Sequence, residues 1–255
     1  IILLILSMKL SIVIPLFNEK DNIGLLVRDI YEKLNKTEFE LTIVDDSSND
    51  GTIEVLKNLE RKYKDIKIIY RKDQPRDLSK SCQEGFENSK YENILVMDGD
   101  LQHDPIYILE MINEFEKYNC DIVIGARNLL IKRIEGLGYL RQEISKILIK
   151  IINIFLKRTT MDPMSGYFLF KKQVYTKNKN LLYLKGYKIL ADLIYSNKEY
   201  LNIRDIKIEF RHRIGGSSKA NIKVFFFLGF FMLKKMFLWC GQQSPYENIL
   251  TSDCR

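Results

Sequence analysis

The sequence predicts an α/β fold, a mostly parallel sheet wound in the Rossmann manner with flanking helices. Three observations carry this. Strand-like and helix-like runs alternate through the first half of the chain, the strand-like runs are apolar throughout, and the polar clusters fall at their carboxyl ends. Uninterrupted apolar strands are those buried on both faces, as in parallel sheets with crossover helices.

The run at 10–15 predicts a first strand. Residues 21–34, with Ile23, Leu26, Val27 and Ile30 at helical spacing, predict a first helix. A strand over 39–44, a helix over 52–63 and a strand over 66–70 follow. A helix over 79–89, a strand over 93–97, a helix over 105–118 and a strand over 121–125 complete the alternation. Asp50 or Thr52 is placed to cap the second helix. Ligands of such sheets gather at the carboxyl ends of the strands. There lie FNE after the first strand, DDSSNDGT after the second, and DGDLQH around the end of the strand closing at Met97.

Beyond Gly125 the character changes. Leu140, Ile144, Ile147, Leu148, Ile151, Ile152 and Phe155 share one helical face, while Lys146, Lys150, Asn153 and Lys157 occupy another. Such a basic amphipathic helix can lie on an anionic membrane surface or pack on the protein's own core. A second apolar run, 224–233, is followed by Lys234 and Lys235 and is too short to cross a bilayer. Interfacial insertion is favoured over the stump of a truncated span and over burial in the core. One domain over 8–219, with 128–158 inserted as a basic interface segment, an apolar interface helix over 220–240 and a polar tail over 241–255, is the economical organisation.

Bulk properties narrow the function. At 255 residues, 46% hydrophobic and 29% charged, the chain is an ordinary globular protein rather than a disordered one. Its net charge is +7, and residues 127–158 hold eight Lys or Arg against Glu135 and Glu143. That local excess suits an anionic partner: nucleic acid, anionic lipid or a phosphorylated substrate. Cys82, Cys120, Cys240 and Cys254 are scattered without a CxxC pair, so a reducing compartment is expected. Residues 1–6 are apolar but too few to span a bilayer, and Met8 is read as the natural start.

The acidic clusters carry the chemistry. Asp98 and Asp100 flank Gly99 directly after an apolar strand, and Gln102 adds a neutral oxygen. Two carboxylates on a tight turn can hold Mg²⁺ or Mn²⁺, leaving positions for a substrate diphosphate. Asp46, at the end of the second strand, can accept hydrogen bonds from nucleobase N–H groups. Pro15, Phe17, Asn18 and Glu19 leave the first strand on the same edge.

These clusters resemble the family-2 glycosyltransferases of the GT-A fold, the dolichyl-phosphate mannose synthase branch in particular. The matching stretches are SIVIPLFNE (11–19), VDDSSNDGT (44–52), VMDGDLQH (96–103), GAR (125–127), DPMSGYF (162–168), KGYK (185–188) and FRHRIGGSSK (210–219). They run in the family's order from about Lys9 to Lys219. The resemblance implies that Pro15, Phe17, Glu19, Val44 and Asp46 surround base and ribose. It makes Asp98, Gly99, Asp100 and Gln102 the metal and diphosphate group. Arg127, Arg141 and Ser145 grip the acceptor phosphate, and Arg213 and Lys219 close over the donor. Phe17 stands where the family often has Tyr, Gly99 where it has Ala, and Asp104 where it often has Pro.

The implied reaction moves a hexose, mannose by resemblance, from a nucleotide-sugar such as GDP-mannose to a polyprenyl or dolichyl phosphate. It is metal-dependent and inverting. An acceptor phosphate is already anionic near neutral pH, so no strong general base is needed. The enzyme is expected peripherally on the cytoplasmic face of a membrane; a separate membrane subunit is left open. The alternative is a family-2 enzyme acting on a sugar hydroxyl, which needs a carboxylate base, and Asp192 is its one candidate. A nucleotidyltransferase would carry a Gly-rich basic loop after the first strand, and FNEKDN is not one. A nucleic-acid module leaves three acidic clusters unexplained and lacks an RNA-binding aromatic motif.

Overall fold

The computed structural model describes residues 8–72, 74–127, 160–186, 189–197 and 199–211. All lie in the first of two compact units, Ile1–Ser217. The strands are β1 (Leu10–Leu16), β2 (Phe39–Asp45), β3 (Ile66–Tyr70), β4 (Asn93–Val96), β5 (Ile122–Arg127), β6 (Phe168–Lys171) and β7 (Ile203–Ile208). Between them run α1 (Lys20–Lys33), α2 (Thr52–Lys62), α3 (Leu78–Glu87), α4 (Ile108–Lys117), α5 (Lys172–Thr176) and α6 (Ile189–Ser196). They form one seven-stranded sheet in the order β3-β2-β1-β4-β6-β5-β7. Only β6 runs antiparallel to its neighbours, β4 and β5.

Alternation along β1 explains why the sheet is covered on both faces. Leu10, Ile12, Ile14 and Leu16 join a core with Ile23, Leu26, Val27 and Ile30 of α1 and Ile108, Met111 and Ile112 of α4. Val13 points the other way, into a core with Phe86 of α3, Phe168 and Phe170 of β6, and Leu190 and Leu193 of α6. A Cβ on Gly85 would lie 2.2 Å from Val13 Cγ1, so glycine lets α3 sit directly on β1.

Pro15 sits inside the central strand without breaking it. Leu16 O accepts Asp46 N–H on the β2 side, and Val13 O accepts Met97 N–H on the β4 side. Pro15 therefore faces β4, whose pairing with β1 ends at Val13↔Val96. Its missing N–H costs no ladder bond.

The predicted elements of the first half are present, with ends shifted by one or two residues. The helix expected over 105–118 begins as a 3₁₀ turn, Pro105–Tyr107, before α4. Asp104 caps it by accepting Ile106 N–H at 2.9 Å. β6 and β7 were not anticipated: each is short, and pairing with β4 and β5 rather than local pattern makes them strands. Both candidate membrane-interface segments, 140–155 and 224–233, lie outside the described residues. Among the described residues, no helix is long and apolar enough to cross a membrane.

Candidate active site

The loops after β1 and β2 interlock. Asn18 and Ser47 adopt positive φ, 53° and 62°, a conformation Asn tolerates better than most residues. Asn18 N–H donates to Ser48 Oγ (2.8 Å), its amide to Asn49 Oδ1 (3.0 Å), and Asn49 N–H returns to Asn18 Oδ1 (2.9 Å). Glu19 N–H donates to Thr52 Oγ1 (3.1 Å). Asp50 accepts the N–H groups of Lys20 (3.4 Å) and Thr52 (3.0 Å), the first residues of α1 and α2. Gly51 is the N-cap of α2, while Asp50, just before it, holds the first helical N–H and Thr52 serves the neighbouring loop. Pro15 and Val44 stand opposite each other in register, both buried. Phe17 and Glu19 are half-buried beside them, and the Arg76 guanidinium lies 4.3 Å over the Phe17 ring.

Asp46 is held by a residue that sequence reasoning missed. Arg71, directly after β3 and 3% exposed, pairs with Asp46 Oδ1 through Nη1 and with Glu84 through Nε (2.9 Å). Asp46 Oδ2 accepts Asp77 N–H (2.8 Å). Burial pushes the Asp46 carboxyl above the usual aspartate range, only partly offset by the Asp77 amide and Arg71. Asp77 also caps α3 and accepts Gly186 N–H at 3.0 and 2.9 Å, tying the KGYK segment to this corner. The available signal was an arginine ending an apolar strand.

The acidic turn follows β4. Asp98 keeps 39% of its side chain exposed, while Asp100 is buried and accepts Gln102 N–H at 3.1 Å. A Cβ on Gly99 would come 2.3 Å from Leu16 Cδ1, so glycine matches the close approach of β1. A Cβ on Gly166 would sit 2.7 Å from Asp98 Oδ2; the glycine of MSGYF leaves room for that carboxylate. Buried His103 accepts Asp98 N–H at Nδ1 (2.9 Å) and stacks on Tyr167 (4.9 Å). Among the described residues, no three His, Cys, Asp or Glu side chains are grouped to hold a metal. The turn presents two carboxylates and an amide, a hard-oxygen set that fits a cation completed by a ligand's own oxygens.

Arg127 ends β5 and forks onto buried Asp162, Nε to Oδ2 at 2.7 Å and Nη2 to Oδ1 at 3.3 Å. Its guanidinium lies 5.3 Å over the Phe210 ring. Burial alone would lower its pKa, but the fields of Asp162 and Asp98 outweigh it and hold it above the ordinary arginine value. Arg127 thus shares the corner of Asp98. The sequence reading did not foresee Asp162 as its partner. Arg141, Ser145, Arg213 and Lys219 lie outside the described residues. Asp192 is 2% exposed, and its Oδ2 accepts the N–H groups of Tyr183 (2.6 Å) and Leu184 (2.9 Å).

Arg71→Met leaves Asp46 and Glu84 without their cation. Breaking a buried pair from one side typically costs about 3–5 kcal/mol. Urea unfolding should register a loss of that order, and nucleoside diphosphate affinity should fall in the surviving folded fraction. Unchanged stability and affinity would contradict the assignment of Arg71 as the support of Asp46.

Residues 11–178 match the family model Glycosyl transferase family 2. The dolichol-phosphate mannosyltransferase of Pyrococcus furiosus is 34% identical over 221 residues, 86% of this chain. The chain spans 61% of that relative's length. The dolichol-phosphate mannosyltransferase of Saccharomyces cerevisiae is 28% identical over 233 residues, 86% of this chain and 84% of the relative. Among solved structures, a Mycobacterium tuberculosis glucosyl-3-phosphoglycerate synthase complex with Mn²⁺, UDP and glucosyl-3-phosphoglycerate has a TM-score of 0.68 at 14% identity, covering 91% of this chain and 80% of that one. Mannosyl-3-phosphoglycerate synthase from Rubrobacter xylanophilus has a TM-score of 0.66 at 14% identity, covering 98% and 79%. At such identities the likeness speaks for the GT-A fold alone. The strand order, the strand-end acids and the match over most of the described sheet agree, and the chain belongs to glycosyl transferase family 2.

Proposed function

We propose that the protein transfers mannose from GDP-mannose to a polyprenyl or dolichyl phosphate, with inversion at the anomeric carbon and with a divalent cation. The observation that carries this reading is that Arg127, at the end of β5, lies within the field of the acidic turn. Arg127 is fixed by Asp162 within the field of Asp98, so phosphate oxygens and the donor diphosphate can share one corner. Asp192, the base required by a sugar-hydroxyl acceptor, is buried and accepts two backbone N–H groups, which disfavours that alternative. Relatives named as dolichol-phosphate mannosyltransferases support the lipid acceptor and the sugar. Solved neighbours holding Mn²⁺ and UDP support a metal and a nucleotide donor.

The chain's own residues then have distinct tasks. Phe17 offers a ring face beside Asp46, whose carboxylate receives base N–H groups, and Pro15, Val44 and Glu19 complete the base and ribose walls. Asp98, Asp100 and Gln102 would hold Mg²⁺ or Mn²⁺. When bound, the ion neutralises the departing diphosphate. Arg213 and Lys219 close over the donor, while Arg127, Arg141 and Ser145 orient the acceptor phosphate. A phosphate monoester carries its own nucleophilic charge, so orientation and charge stabilisation replace a general base. The segment 140–155 holds the enzyme on the anionic, cytoplasmic face of the membrane where the lipid is anchored.

Two outcomes test this. Asp100→Asn keeps the side chain's size but removes a charged oxygen, so the fold should persist while transfer collapses. EDTA should abolish wild-type transfer, with Mn²⁺ or Mg²⁺ restoring it; full activity without metal would remove the cation from the account. Arg141→Ala should cost about 1.5–3 kcal/mol, roughly ten- to a hundredfold, in kcat/KM toward the lipid phosphate. Donor KM should stay nearly constant. Intact lipid-phosphate kinetics would favour the sugar-hydroxyl alternative.

A further inference from the structure

Residues 209–211 leave β7 and cross the acidic turn. Glu209 N–H donates to the Tyr107 hydroxyl (3.2 Å), and Phe210 meets His103 edge-on at 5.1 Å. Arg211 N–H donates to the carbonyl of Gln102 (3.0 Å). Its guanidinium forks onto Asp104, Nε to Oδ2 at 2.6 Å and Nη2 to Oδ1 at 2.7 Å. The remaining Nη1 reaches Asp29 of α1 at 2.9 Å. Asp104 is bound on its backbone as well, its carbonyl accepting the Tyr167 hydroxyl at 3.1 Å. The carboxylate exists only because Asp104 stands where the resembling family often has proline.

We infer that Arg211 is a positioning residue for the metal and diphosphate turn, clamping Gln102 and Asp104 to α1. This rests on the reading of Asp98, Asp100 and Gln102 as that group. The turn needs such a clamp because Leu101 holds φ at 64°, a left-handed conformation that a leucine rarely adopts. A strained residue keeps its conformation only where its surroundings over-determine it. Here the next residue's carbonyl is held by Arg211 N–H, and the side chain two residues further by the same arginine's fork. An isolated ion pair at 37% exposure adds little stability. Two parallel hydrogen bonds and a third to Asp29 fix direction instead, which a lysine cannot reproduce.

The test uses the full chain and the variants Arg211→Gln, Arg211→Lys, Asp104→Asn and the double Arg211→Gln/Asp104→Asn. Mn²⁺ binding in the presence of GDP is followed by the electron paramagnetic resonance signal of the free ion. Kinetics and urea midpoints are measured alongside. Loss of a group that orients metal ligands typically weakens the metal roughly ten- to a hundredfold. Arg211→Gln and Asp104→Asn should each do so, Arg211→Lys less, and the double no more than Arg211→Gln alone, because Arg211→Gln already removes the fork that Asp104→Asn weakens. Donor KM should rise with lipid-phosphate KM unchanged and urea midpoints nearly level. Wild-type Mn²⁺ affinity in the single variants, or a lowered midpoint with intact affinity, would overturn the inference alone. A wild-type chain that binds no Mn²⁺ with GDP would overturn the metal reading itself, and the clamp's role with it.

Discussion

Covering a sheet on both faces leaves the interiors of its central strands without water to solvate a charge, so β1, β4, β5 and β6 carry ionised groups at their ends or not at all. The rest of the molecule depends on this constraint. β1 spends all seven residues on packing and releases Phe17, Asn18 and Glu19 only where the two cores end. β2 and β4 are likewise buried along their carboxyl-terminal stretches before Asp46 and Asp98. Three unrelated stretches of sequence thereby arrive on one edge.

Charges gathered on such an edge must be partnered, and the partners divide the labour. Asp46 is bound by Arg71 and the Asp77 amide, Asp162 by Arg127, and Asp104 by Arg211. Each pair locks a carboxylate to a guanidinium at this end of the sheet. Asp98 lies 3.8 Å from His103 Nε2 with 39% of its side chain exposed, and Gly166 leaves room for its carboxylate. Asp192, buried, braces residues 183–184 by accepting their N–H groups.

Much of this was legible in the sequence because it is local. Apolar runs and helical spacing located β1 to β5 and the helices between them. Strand-end placement picked out Asp46, Asp98 and Asp100 without any knowledge of contacts. What was not legible depends on distant pairing. β6 is a four-residue strand whose place between β4 and β5 is decided by partners more than forty positions away in sequence. Arg71, Asp162 and Arg211 look like ordinary charges until the fold brings their partners within reach. Gly99 reads as a turn residue, whereas it also admits Leu16, and Gly166 leaves room for the Asp98 carboxylate.

The central claim is that the acceptor is a lipid-linked phosphate. It is tested most directly by incubating the enzyme and membranes with labelled nucleotide-sugars, offering polyprenyl phosphate and the unphosphorylated polyprenol in parallel, and extracting the lipid product. The account predicts label in the lipid fraction from GDP-mannose with the phosphate, and none with the free polyprenol. Equal labelling of polyprenol, or label found only on a sugar hydroxyl, would contradict it.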